Sequence, residues 1–276
     1  MSHFVEDACS VMELIAPLRL AVHNDNVGLM LVAVSEAILS QASLIITYRP
    51  PIPRPISSFT FADPRQRSLL RLAQAGISVY SSHTALVVTK GGINDWIAEA
   101  LIGSQMQPNG AADQLNGKVP QDLALRKEVL EHPKEEDSES DEDEARILTL
   151  PSPGLKTIDV IEKVKRHLGV KLVHAARPYE KDGRYIRKVA ISAGLAGSAF
   201  EDVDAHLYIT GEMPHDDILA MKARGRFVLL LGLSTAAESY LKVLKKKLVS
   251  TWDQTPNLAH LDSVQVCSAN KIVASY

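Results

Sequence analysis

The chain has 276 residues, of which 46% are hydrophobic and 23% charged, and its 30 basic and 33 acidic side chains leave a formal charge of −3. This is the composition of a globular protein, with no general pull toward nucleic acid or an anionic membrane. No apolar run approaches the roughly 20 residues that a bilayer span requires. The opening stretch, MSHFVEDACSVMELIAPLRL, carries Glu6 and Asp7 where a secretory signal would be basic and then apolar.

Elements follow in order. The spacing of Val11, Leu14, Ile15 and Leu18 predicts an opening helix, and Val34–Ser40 predicts a second. Ser43–Thr47 is a short, continuously apolar strand, followed by Pro50, Pro51, Pro53 and Pro55, which forbid regular structure. Asp63 is placed to cap a helix with Pro64 in its first turn, running to about Ala75. A strand at Ile77–Tyr80 and a helix at Asn94–Ile102 complete a βαβ texture and predict a parallel sheet.

Residues 104–145 differ in kind. They are polar, punctuated by Gly, Pro and Asn, and every residue from Glu135 to Glu144 is acidic or serine. Self-repulsion and the lack of apolar surface predict a disordered acidic linker. The chain is therefore read as an N-terminal lobe over 1–103, the linker over 104–145, and a C-terminal lobe over 146–276. In that second lobe Thr157–Leu168 predicts an amphipathic helix with Ile158, Ile161, Val164 and Leu168 on its apolar face, stopped at Gly169. Strands are expected at Lys171–Ala175, Lys188–Ser192, Ala205–Thr210 and Phe227–Leu231, with helices at Pro214–Arg224 and Ala236–Lys247.

Chemistry-bearing residues gather at strand ends: Tyr48 and Arg49, His83, and Glu212 with His215 and Asp216. Ligands of α/β proteins meet the fold at such ends. The turn Ser192–Phe200, with Gly194, Gly197 and Ser198, has neither the dinucleotide nor the P-loop pattern and reads as a turn. Lys242, Lys245, Lys246 and Lys247 read as a solvated helix face rather than a nucleic-acid patch. Ser138 and Ser140, each with an acidic residue three positions on, fit the pattern acidophilic kinases favour. The two cysteines, Cys9 and Cys267, have no metal spacing, so a reducing compartment, cytoplasm or nucleus, is expected.

Several strings in order resemble the Nif-three family (Ngg-one-interacting factor three, also known as GTP cyclohydrolase I type-two homologues). They are DNVGLM at 25–30, YRPPI at 48–52, VYSSHTA at 79–85, GGINDW at 91–96 and LYITGEMPHDD at 207–217. The resemblance implies a two-lobed α/β fold, each lobe a mixed, mostly parallel sheet flanked by helices. It also implies a dinuclear metal site between the lobes and ring-shaped hexamers built from dimers. The family name further implies a protein partner linked to transcription.

At the implied ligand positions this sequence departs. Arg49 stands where the pattern has His, Val87 where it has Asp, Leu233 where it has His and Ala237 where it has Glu; Tyr48, before Arg49, is His in bacterial members and Tyr in many eukaryotic ones. Glu238 lies next to Ala237 but about 100° further around a helix. A guanidinium has no lone pair to donate, and aliphatic groups have none either. The family pattern also carries a strand and helix start between Gly28 and Val34 that this chain lacks; either the lobe has repaired its edge or the coding sequence is misread there. The leading expectation is a non-catalytic family member, without metal cofactor, acting as an oligomeric binding scaffold. The alternative is a divalent-metal-dependent hydrolase whose site is rearranged around His83, Glu212, His215, Asp216 and Glu238.

Overall fold

The computed structural model describes residues 3–21, 37–53, 56–102, 128–129, 145–179, 185–195, 198–200, 203–258, 261 and 263–266. Their elements in chain order are α1 (His3–Ile15), β1 (Leu44–Thr47), α2 (Pro64–Gln74), β2 (Ser78–Ser81), α3 (His83–Val88), α4 (Ile93–Ile102), β3 (Glu128–Val129), β4 (Arg146–Thr149) and β5 (Leu155–Lys156). There follow α5 (Thr157–Leu168), β6 (His174–Ala176), β7 (Tyr185–Ile186), β8 (Lys188–Leu195), β9 (Leu207–Glu212), α6 (His215–Ala223), β10 (Phe227–Leu230) and α7 (Leu233–Gln254). Short 3-10 turns lie at Leu18–Leu20 and Ser198–Phe200.

Two compact units result. One holds the described residues up to Gly92 and those from Ala237 on; the other runs from Ile93 to Ala236. The division runs differently from the lobes expected over 1–103 and 146–276. Residues 93–102 pack with the second unit because α4 lies on α5 and β8, while all but the first turn of α7 joins the first unit. Within the stretch expected as linker, β3 pairs antiparallel with β4, and Ala145 is fully buried; the rest of 104–144, and the expected gap near 28–34, lie outside the described residues.

In the first unit, β1 and β2 pair in parallel from Leu44↔Ser78 to Thr47↔Ser81, joined by α2 as their crossover. The cap predicted for α2 is present: the Asp63 carboxylate accepts from the backbone N–H of Arg65 at 2.8 Å and of Gln66 at 3.0 Å, with Pro64 following. Ala37, Leu72 and Ile77 form a small core here, with Ile45, Leu69 and Val79 against it. The opening helix starts earlier than its apolar spacing suggests, at His3, and stops before Pro17.

The second unit is built on a six-stranded mixed sheet of order β3-β4-β8-β9-β10-β6, with β5 and β7 as a separate antiparallel pair. Its parallel character lies in the central β8, β9 and β10, while the flanking ladders are antiparallel. The central strands are almost wholly buried along their length, which is why they read as unbroken apolar runs rather than alternating ones. Phe200, Tyr208, Met213, Met221 and Val228 form the core on one side. The Tyr208 hydroxyl donates to the Val203 carbonyl and accepts from Ala205 N–H. That claim on Ala205 removes it from the ladder, so β9 begins at Leu207, two residues later than expected.

Other boundaries shift for physical reasons. β6 is set at His174–Ala176 by its antiparallel register with Val228–Leu230. α5 occupies its expected span and stops at Gly169, but its buried stripe is Val160, Val164 and Leu168, with Ile158 56% exposed. β8 continues through Gly194 to Leu195, so the expected glycine turn starts later. Among the described residues no helix is long and apolar enough to cross a membrane.

Candidate functional site

The first unit holds Tyr48, Arg49, His83 and Val87 around the carboxyl ends of β1 and β2. Three hydrogen bonds fix the chain there. The Tyr48 carbonyl accepts from the His83 backbone N–H and from the Ser81 hydroxyl, both at 3.0 Å, and the Arg49 carbonyl accepts from the Thr47 hydroxyl at 2.8 Å. His83 lies just past β2 and opens α3, with φ +26°, a left-handed conformation rare outside glycine. Its ring meets the Tyr48 ring edge-on, 5.2 Å between centroids. Arg49 is exposed, and no described carboxylate pairs with it.

Val87 is buried on α3, and Ala237 is buried on α7. Glu238 is half-buried, and desolvation holds its carboxyl above the ordinary carboxylate value. Ser82 Oγ, one residue before His83, is buried without a hydrogen-bond partner. The buried Tyr80 phenol also lacks one; burial, and then the Glu13 carboxylate, pushes it up to about 12.

The second unit carries Glu212, His215, Asp216 and Leu233. Glu212 ends β9 and His215 opens α6, and both are exposed, as is Asp216. Leu233 lies over the end of β9: a Cβ added to Gly211 would sit 2.9 Å from Leu233 Cδ2. Where the family pattern has an imidazole, an isobutyl group covers the strand end. Among the described residues no three His, Cys, Asp or Glu side chains gather closely enough to hold a metal ion. The side chains at the positions the resemblance implies therefore do not fit a metal centre: Arg49 is a permanent cation, and Val87, Leu233 and Ala237 offer no lone pair.

The GGINDW string has a structural role that spacing did not disclose. The Gly91 carbonyl accepts from the Tyr240 hydroxyl at 2.7 Å and from the Lys247 ammonium. In the second unit, the Asn94 side chain accepts from Ala193 N–H at 2.8 Å on β8. Asp95 pairs with the Arg146 Nε at 2.8 Å on β4, their side chains 2% and 7% exposed. The signal was present: two polar residues inside INDWIAEALI, an otherwise apolar helix.

Trp96 packs on His167, ring centroids 4.4 Å apart, and the buried His167 Nε2 has no hydrogen-bond partner. Desolvation holds this imidazole below its ordinary 6.5, partly offset by its hydrogen bond to the Trp96 backbone. The folded state thus binds fewer protons at His167 than the unfolded chain does, so stability falls as pH drops below about 6.5 and levels off once the folded state is protonated too. In urea unfolding between pH 7.5 and 5, His167→Gln is expected to lose less stability on acidification than the native chain. Equal losses would remove His167 as a cause.

A parallel βαβ pair in one unit and a mixed sheet with three central parallel strands in the other define a two-unit α/β protein. Residues 4–265 match the family model Duf34/NIF3 (NGG1p interacting factor 3), and the chain belongs to that family. It is 33% identical to the Protein NIF3 homolog of Schizosaccharomyces pombe, over 96% of this chain and 92% of that one. It is 28% identical to NGG1-interacting factor 3 of Saccharomyces cerevisiae, over 78% of this chain and 70% of that one. The fold is shared with a Bacillus cereus protein related to NIF3, at TM-score 0.65 and 20% identity, covering 90% of this chain and 93% of that one.

Proposed function

We propose that this family member works without a metal centre, as an oligomeric binding or scaffold protein rather than a hydrolase. The observation that carries the reading is the donor set: Arg49, Val87, Leu233 and Ala237 replace every side chain that the family resemblance assigns as His, Asp or Glu at those positions. Metal-assisted hydrolysis depends on an ion lowering the pKa of its bound water, and without the ion that nucleophile is lost. Glu212, His215 and Asp216 do not substitute, since they are exposed and no third donor closes around them among the described residues. A protein partner is supported by the name of the yeast relative, an NGG1-interacting factor.

Elemental analysis of the chain, purified without chelators, tests the reading. Far less than one zinc, manganese, iron or nickel ion per chain is expected, and two stoichiometric ions per chain would overturn it.

A further inference from the structure

We propose that the carboxyl end of the β1–β2 pair binds the phosphoryl group of a small molecule, with Arg49 as its principal contact. The inference rests on the reading above, that this end holds no metal, and names the ligand class that replaces one.

The first observation is charge. At this strand end Arg49 is exposed, and its own segment from Ser43 to Pro53 holds no Asp or Glu. A site for a divalent cation needs carboxylates or neutral imidazoles; this end offers a permanent cation, with Glu13 acting on Tyr80 and Asp63 engaged in capping α2 as the acidic groups on adjoining elements. The Arg49 guanidinium itself suits an anion rather than a metal cation.

The second observation is preorganisation. Arg49 follows β1 directly, at the end of a parallel βαβ pair, where α/β folds receive ligands. The three hydrogen bonds at the Tyr48 and Arg49 carbonyls pin its backbone on one side. On the other, Pro50, Pro51 and Pro53 fix three φ angles. An arginine on a held backbone loses less freedom on binding than one on a mobile loop. Its planar fork matches two oxygens of a phosphoryl group, which a lysine cannot do.

The third is local strain with an orphan beside it. His83 keeps a φ of +26°, a strained conformation that persists only where the surrounding structure enforces it. The hydroxyl of Ser82, next to it, is buried without a partner. A polar group left so in a folded protein calls for a water or a ligand.

Calorimetric titration of inorganic phosphate into the full chain, with acetate in parallel, tests the proposal. Saturable binding at one site per chain is expected, weaker for acetate. Arg49→Gln should weaken phosphate at least about tenfold without moving the unfolding midpoint, and Arg49→Lys should fall between. No saturable phosphate binding, unchanged binding in Arg49→Gln, or tighter binding of acetate than phosphate would each overturn it. Phosphate binding that disappears with EDTA would show a metal-seated anion and overturn both this inference and the metal-free reading. Absent phosphate binding in a chain that elemental analysis finds free of metal would overturn this inference alone.

Discussion

Asp95→Ala is expected to lower the free energy of unfolding by about 3–5 kcal/mol, because it takes the carboxylate partner away from the buried Arg146 guanidinium. Asp95 and Arg146 are 2% and 7% exposed and meet at 2.8 Å, so water cannot replace the lost carboxylate. The damage falls where α4 meets β4, in the sheet of the second unit. The pair itself need not be stabilising relative to apolar neighbours, since taking both charges out of water offsets much of their attraction. Asp95→Leu combined with Arg146→Met should therefore recover most of the loss. Urea denaturation of the two variants distinguishes the causes: a double variant as weak as Asp95→Ala would locate the defect in packing rather than in a stranded charge.

Gly92→Ala should cost about 3 kcal/mol or more, since overlap with fixed backbone is among the few causes of so large an effect. A Cβ at Gly92 would collide with the Leu86 carbonyl oxygen and lie 2.8 Å from both the Thr89 carbonyl oxygen and its methyl carbon. Those oxygens cannot withdraw easily, because Gly92 N–H already donates to the Thr89 carbonyl at 2.8 Å. Gly91→Ala is the comparison. There the added carbon meets only the flexible end of Lys247, at 2.9 Å, and the penalty comes from the +71° φ. A cost of about 1 kcal/mol follows from that strain. Thermal unfolding should rank Gly92→Ala well below Gly91→Ala, and the reverse order would show that the turn yields at Gly92.

Much of the fold was legible in the chain. Asp63-Pro64 announced α2, the unbroken apolar run LIIT announced β1, and Gly169 closed α5 where expected. What escaped was set by tertiary partners. Ile158 looked like core, yet the buried stripe is Val160, Val164 and Leu168 on a helix that packs against α4, and no isolated helical wheel distinguishes those two faces. Ala205 looked like strand, but the Tyr208 hydroxyl claims its N–H. The short β5 and β7 need each other and carry no periodicity of their own. The edge strand β6 owes its bounds to β10, and α4 belongs to the second unit because Asn94 and Asp95 find β8 and β4 there.

The site was legible in a different sense. The resemblance pointed to Arg49, Val87, Leu233 and Ala237, and residue chemistry added only that a guanidinium and three aliphatic side chains cannot ligate a cation in any geometry. The structural work of GGINDW was not legible, since the partners of Asn94 and Asp95 lie far along the chain. Nor was the strain at His83, a residue whose type tolerates left-handed backbone better than most but does not demand it.

The proposed metal-free function rests on Arg49, Val87, Leu233 and Ala237 standing where the family resemblance implies ligands. Its most direct test is metal content measured side by side in the native chain and in a chain carrying Arg49→His, Val87→Asp, Leu233→His and Ala237→Glu together. After equal exposure to zinc or manganese and gel filtration, the native chain should retain essentially no stoichiometric metal, and the fourfold variant should gain ions. Two ions per native chain, held through gel filtration, would contradict it.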